Sequence, residues 1–167
     1  MSRSAWRIAT DARDYEADDL SGAGAKITGG RWNAIGIPML YASGSRSLAC
    51  LETVVHLNAG GLPLNRYLVE IEVPDDVWAA AEVPAVASFR IGWDAEPAGR
   101  VSIAFGSDWV RSRRSLLLCV PSVIVPEETD ILVNPEHPDL GRIRARKVRR
   151  WLYDPRLGRL APPAGRP

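Results

Sequence analysis

Asn65–Pro74 reads "NRYLVEIEVP". Tyr67, Val69, Ile71 and Val73 alternate with Leu68, Glu70 and Glu72. A period of two predicts a strand whose first set faces a core while Glu70 and Glu72 face water. One wet face and one dry face is the pattern of an antiparallel sheet, because strands of a parallel sheet are covered on both sides.

The neighbouring stretches extend that reading. Upstream, "IPMLYAS" (Ile37–Ser43) places Met39, Tyr41 and Ser43 on one face and Leu40 and Ala42 on the other, after a turn at Gly36 and Pro38. Between the two strands, "SLACLETVVHL" (Ser47–Leu57) predicts a helix capped by Ser45 or Ser47 and ended by Gly60 and Gly61. Downstream, "LLLCVPSVIVP" (Leu116–Pro126) reads as a strand buried on both faces, interrupted by Pro121 and Ser122. "TDILVNPEHPDL" (Thr129–Leu140) gives a short strand and then a turn-rich loop. A helix is expected from about Leu140 to Leu152, with Val148, Trp151 and Leu152 on one side. "WRIAT" (Trp6–Thr10) suggests a short first strand, and residues 11–28 a loop. Strands outnumber helices and two connections are of hairpin length. The expected class is therefore α+β, with a mostly antiparallel sheet and flanking helices, rather than a doubly wound fold.

A chain of 167 residues suits a single domain, 1–167, with a substantial core and a tail at 160–167 expected to fray. Hydrophobic residues at 46% and charged residues at 25% argue against global disorder. No apolar run approaches the ~20 residues of a spanning helix, and the first residues lack a secretory h-region. Cys50 and Cys119 alone make no disulfide framework. A soluble, cytoplasmic protein is the expectation. The net charge of +1 hides an asymmetry: seven arginines and Lys147 against Asp154 give residues 142–159 a net +7 and leave −6 on the rest.

Which side chains could do chemistry? "ITGGRWNAIG" (Ile27–Gly36) sets Arg31 and Trp32 directly after Gly29 and Gly30. Arg31 reads either as a surface charge or as a fork that grips a phosphate or carboxylate in two places, with the glycines letting the backbone come close. Trp32 reads as a core plug or a pocket wall. Tyr41 reads as an inward aromatic with a polar handle. On the predicted helix, Ala49, Glu52, Thr53 and His56 fall on the strip left by the apolar arc. Glu52 there is either solvated or aimed at a cleft. Ser122 sits within an apolar strand, where a hydroxyl most often bonds nearby backbone. His56 and His137 stand without HExxH, CxxC or a tight acid cluster, so no metal is expected. "SGAGAK" (Ser21–Lys26) has neither the third glycine of a dinucleotide fingerprint nor the spacing of a P-loop. No GxSxG elbow is present.

Four blocks in order, "GGRWNAIGIPMLYAS", "SLACLETVVHL", "YLVEIEVPDD" and "WVRSRRSLLLCVPSVIVPEETDILVNPEHPD", resemble the RES-domain family over about residues 6–155. The arginine, glutamate and serine for which that family is named fall on Arg31, Glu52 and Ser122. Its tyrosine falls on Tyr41, and its late loop on "NPEHPD", which includes Asn134.

The resemblance implies an ADP-ribosyltransferase-like fold and a bacterial toxin acting on NAD+. It also implies an Xre-type helix-turn-helix antitoxin that occludes the active site, with no direct nucleic-acid contact by the toxin. By this resemblance Arg31, Tyr41, Glu52 and Ser122 are the expected catalytic set. Gly30, Arg31, Trp32, Tyr41, His56 and Asn134 are expected to contact NAD+. Transfer of ADP-ribose to a protein is the expected outcome, with water or phosphate as the alternative acceptor. The lack of a Rossmann fingerprint agrees with an enzyme that consumes NAD+ rather than returning it. A second class of function, nucleic-acid binding by the basic 142–159 segment, has no reading motif behind it. That segment is expected instead to dock an acidic antitoxin segment or to wall the phosphate site.

Overall fold

The computed structural model describes residues 1–57 and 62–160. The expected helix stop at Gly60 and Gly61 lies outside the described residues, as do 161–167 of the expected frayed tail. Among the described residues, six strands and four α-helices carry the fold. In chain order they are β1 (Ser2–Thr10), α1 (Ala23–Thr28), β2 (Leu40–Ser43), α2 (Arg46–Val54), β3 (Arg66–Pro74), α3 (Asp75–Ala79), α4 (Arg100–Ser112), β4 (Leu117–Pro121), β5 (Thr129–Val133) and β6 (Arg144–Trp151).

The strands form one six-stranded sheet in the order β4-β5-β2-β1-β3-β6. Every pairing in it is antiparallel. The expected α+β class with an antiparallel sheet is thus the observed one. β1 and β3 run in unbroken register from Ser2↔Pro74 to Thr10↔Arg66. Val69, Ile71 and Val73 are buried as the alternation requires, and Glu72 is exposed. Leu68 is buried as well, because the opposite face of this strand is also covered.

Alternation sorts the sheet's side chains into two layers. One face is continuous: Ala5, Ala9, Leu40, Ala42, Val69, Ile71, Leu117, Ile131 and Val133 share a single core. The other face is divided. Under α4 lie Trp32, Met39, Trp109, Val110, Leu118, Val120 and Leu132. Beside α2 lie Trp6, Ile8, Ala49, Leu68 and Tyr153. Ser43 pairs with Trp6 on β1 and with Asp130 on β5, so Ser43 and Asp130 point to this divided face at the seam between its two clusters. The polar site described below occupies that seam.

Three expectations need correction. The basic stretch expected as a helix at about 140–152 is the edge strand β6, preceded by a short 3-10 turn at Pro138–Arg142. The residues on the core side of that strand include Ala145 and Lys147, paired with Ile71 and Val69. Lys147 is held by Asp11 at 2.8 Å and Glu16 at 2.9 Å, so a charged residue fills a position where the period-two pattern would show an apolar one. Residues 11–28 are not all loop, since α1 occupies Ala23–Thr28. Finally, α2 ends at Val54, and it buries Leu48 and Ala49 while leaving Val55 exposed. Its buried row therefore runs Leu48 to Glu52, four residues apart, and carries Glu52 inward.

Candidate active site

The seam is built from three serine–carboxylate pairs. Ser122 follows β4 and is fully buried; its hydroxyl donates to Glu52 Oε1 at 2.7 Å. The same Oγ accepts from the backbone N–H groups of Ile124 at 3.1 Å and Val125 at 3.2 Å. A serine hydroxyl has one proton and two lone pairs. With both lone pairs taken by N–H groups, the proton can only point at Glu52. Ser43 Oγ donates to Asp130 Oδ1 at 3.0 Å. Ser45 Oγ donates to Glu128 Oε2 at 2.8 Å and accepts from Leu48 N at 3.1 Å, capping α2. This confirms the Ser45 option for the helix start and fixes the register of α2, hence the direction of Glu52.

Burial, reinforced by the neighbouring Glu52 carboxyl, pushes the Asp130 acid up to about 8. Ser43 on β2 and the Glu52 carboxyl on α2 thus bear on Asp130 in opposite senses, the hydroxyl favouring its charged form and the carboxyl opposing it.

Arg31 sits on a braced turn between α1 and β2. The turn closes on a bridge between Gly30 and Asn33. Asn33 is buried, and its Nδ2 donates to the carbonyls of Ala25 at 2.8 Å and Ile37 at 2.9 Å. Tyr41 donates its phenolic proton to Asn33 Oδ1 at 2.6 Å and accepts from Trp32 N at 3.0 Å. Burial pushes the Tyr41 phenol well above its ordinary range, which keeps it a neutral donor. A side chain at Gly30 would meet the Tyr41 hydroxyl at 2.6 Å, so the glycine makes room for the tyrosine brace. At Gly106 of α4, a Cβ would lie 2.0 Å from the Trp32 carbonyl oxygen, so that helix packs against the turn's backbone. Ser107 adds a bond from Ala34 N at 3.0 Å.

The guanidinium of this rigid turn is occupied from within. Nη1 donates to the Ala95 carbonyl at 2.8 Å, and Nη2 pairs with Glu96 Oε2 at 2.6 Å. The Arg31 side chain is 20% exposed and that of Glu96 79%, so a protected fork is paired with an exposed, replaceable carboxylate. Tyr41 joins the two halves of the site: its hydroxyl braces the Arg31 turn, and it stands two residues before Ser43, which bonds Asp130.

Of the residues nominated from sequence, Glu52 and Ser122 are in direct contact, and Tyr41 ties the Arg31 turn to the strand that carries Ser43. Trp32 is 2% exposed and packs among Phe89, Trp93 and Phe105, which makes it a core plug beneath the Arg31 turn. Asn134 is fully buried: its Nδ2 donates to the Val110 carbonyl at 3.0 Å and its Oδ1 accepts from Glu136 N at 2.9 Å, tying α4 to β5. His56 lies in an exposed turn beyond the end of α2, off the Leu48–Glu52 row. Sequence reasoning passed over Asn33, Ser43, Glu96, Glu128 and Asp130. The available signal was an aspartate at an inward position of "TDILV". Among the described residues, no group of three or more His, Cys, Asp or Glu could hold a metal ion, and no helix is long and apolar enough to cross a membrane.

The RES domain model matches residues 4–155. The chain belongs to the RES-domain family. It is 72% identical to the Prs ADP-ribosylating toxin of Sphingobium sp. (strain YBL2), over 96% of this chain and 100% of that protein. It is 38% identical to Toxin Res of Pseudomonas putida, over 80% of this chain and 85% of the relative. With Toxin Res of Yersinia enterocolitica the identity is 34%, over 87% and 94%. The RES match spans β1 to the turn after β6, so every element that builds the seam lies within it.

Proposed function

We propose that this RES protein is the toxin of a toxin–antitoxin pair and transfers ADP-ribose from NAD+ to a protein. In this reading the acceptor is Prs, the protein named in the Sphingobium toxin. Identity of 72% over the whole of that toxin supports an enzyme that uses NAD+. The structural observation that carries the reading is the Glu52 carboxylate, oriented by the fully buried Ser122 and standing on the same face of the sheet as the braced Arg31 turn.

The chemistry asks for this combination. The bond between nicotinamide and ribose breaks with the electron pair leaving on nicotinamide, whose ring nitrogen is already cationic, so no general acid is needed. Positive charge develops on the ribose as in glycoside cleavage. Glu52 accepts a bond from a ribose hydroxyl, stabilises that charge and orients the incoming nucleophile, whose proton is released as the new bond to ribose forms. Arg31 grips the pyrophosphate through paired charge-assisted bonds. Ser122 acts by holding Glu52. Tyr41 fixes the Arg31 turn, and its ring is the expected neighbour of the nicotinamide. The partner antitoxin is an Xre-type helix-turn-helix protein that covers this face.

The test is NAD+ labelled on its adenylate, incubated with the purified toxin and Prs. Label on Prs supports transfer. Free ADP-ribose, or ADP-ribose phosphate formed only with added phosphate, replaces transfer by NAD+ breakdown. Intact NAD+ overturns the enzyme reading.

A further inference from the structure

We propose that Glu128 is a positioning residue for this reaction: its side chain holds the start of α2 and its backbone holds Ser122, so the two supports of Glu52 meet on one residue. The inference rests on the NAD+ reading above and deepens it.

Strand register puts Glu128 there. β2 and β5 pair antiparallel from Leu40↔Val133 to Ser43↔Asp130. The pairing continues beyond the end of β2. Gly44 N donates to the Thr129 carbonyl at 3.0 Å, and Ser45 Oγ donates to Glu128 Oε2 at 2.8 Å. Ser43, two residues earlier, makes the same kind of bond to Asp130 at 3.0 Å. The corner that leads into α2 is thus fastened residue by residue to β5 and the residue before it. Ser45 also accepts from Leu48 N at 3.1 Å and so caps the helix. Leu48 opens the buried row on which Glu52 follows one turn later. Through Ser45, the Glu128 carboxylate sets where the helix carrying Glu52 begins.

The backbone of Glu128 serves the other support. Its carbonyl accepts from Ser122 N at 2.9 Å, and its N–H donates to the Val125 carbonyl at 2.9 Å. These bonds close the turn between β4 and β5. Inside that turn the Ser122 hydroxyl accepts from Ile124 and Val125 and donates to Glu52. Ser122 and Glu52 come from elements far apart in the chain, and the 2.7 Å bond between them tolerates little error in their separation. Glu128 fixes that separation, because it is bonded to both sides.

The Ser45 bond needs an oxygen acceptor, not a charge. Glutamine offers one and alanine does not. The backbone bonds to Ser122 survive in either variant. Without the side chain, the start of α2 drifts relative to the turn, and a misplaced Glu52 costs rate rather than affinity, since Arg31 carries the grip on NAD+.

The experiment compares wild type with Glu128→Gln, Glu128→Ala, Ser45→Ala and the double variant Ser45→Ala/Glu128→Ala. Nicotinamide release from NAD+ gives kcat and KM, and hydrogen exchange reads the Leu48 amide. Glu128→Ala should lose about fivefold or more in kcat, with KM within about twofold, as expected for a misplaced reacting group. Glu128→Gln should keep at least about half of the wild-type kcat, because the hydrogen bond remains. Since Glu128 acts through Ser45, adding Glu128→Ala to Ser45→Ala should change kcat by less than about twofold. An undiminished kcat in Glu128→Ala, a Glu128→Gln protein as impaired as Glu128→Ala, or additive losses in the double variant overturns the proposal. The exchange arm needs no turnover. The Leu48 amide should exchange faster in Glu128→Ala than in wild type or Glu128→Gln, and equal exchange in all three overturns the tie between Glu128 and α2. If wild type releases no nicotinamide, the NAD+ reading fails, while Leu48 exchange still reports whether Glu128 holds the helix.

Discussion

Glu52 and Gly30 bear the account at the scale of single residues, and each makes a different kind of demand. Glu52→Gln is nearly isosteric and keeps an oxygen for Ser122, so the fold should persist. What is lost is the charge facing the ribose. The expected result is a fall in kcat of about 100-fold or more, the scale of removing one transition-state stabiliser, with Tm within a few degrees and relief of growth arrest. Gly30→Ala acts through sterics instead. Its methyl would meet the Tyr41 hydroxyl at 2.6 Å and break the brace to Asn33. A loss of about 1–3 kcal/mol in urea unfolding is expected, the usual cost of overpacking, together with a raised KM for NAD+ as the Arg31 turn loosens. At this scale the sequence exposed Arg31, Tyr41, Glu52 and Ser122 because a family pattern pointed to them. Asp130 and Asn33 stayed hidden. Their importance comes from strand register and from a turn folding back on itself, and neither leaves a mark in local spacing.

The stretch between Phe89 and α4 is the part of the structure whose behaviour matters most among the elements. Its Ala95 carbonyl and Glu96 carboxylate fill the Arg31 fork, and Phe89 and Trp93 seat it against Trp32. An anionic dinucleotide must compete with Glu96 for that fork. Glu96→Ala should therefore lower KM for NAD+ by about 2- to 5-fold, on the scale of one ion pair with an exposed partner, with little change in kcat. Steady-state kinetics at fixed ionic strength reads this directly.

The same scale shows why some elements were legible and others were not. β3 announces itself because Val69, Ile71 and Val73 alternate with polar neighbours. α4 does not, because its packed face carries Ser102, Gly106 and Ser107 beside Trp109 and Val110, and small polar residues erase the apolar stripe. β6 misleads in the opposite direction. Its arginines and Lys147 hide a period of two that only the facing acids Glu70, Asp11 and Glu16 make sense of.

For the whole molecule, charge is arranged rather than absent. The basic 142–159 segment ends the sheet as its edge strand, and part of its charge is spent internally: Arg142 pairs with Asp76, Arg146 with Glu70 and Lys147 with Asp11 and Glu16. Arg149 and Arg150 are exposed and make no such pair among the described residues. If this edge docks an acidic antitoxin segment, reversing both charges should weaken antitoxin binding by about tenfold or more at low salt, an effect that shrinks as salt screens it. NAD+ turnover by the free toxin should not change, and binding titrations at two ionic strengths check both parts. The class of fold and the places of β2, β3 and β5 along the chain followed from sequence because alternation is a property of whole strands. The seam between the two clusters did not, since it exists only once β2, β5 and α2 converge.

The claim on which everything else depends is that the clamped Glu52 carboxylate drives cleavage of the nicotinamide–ribose bond. Nicotinamide release from NAD+, followed side by side for wild type and Glu52→Gln at saturating NAD+, measures it most directly. The account predicts release by wild type and release at least about 100-fold slower by a folded Glu52→Gln protein, with NAD+ affinity within about threefold. Equal rates of release from the two proteins, or no release from wild type freed of its antitoxin, would contradict it.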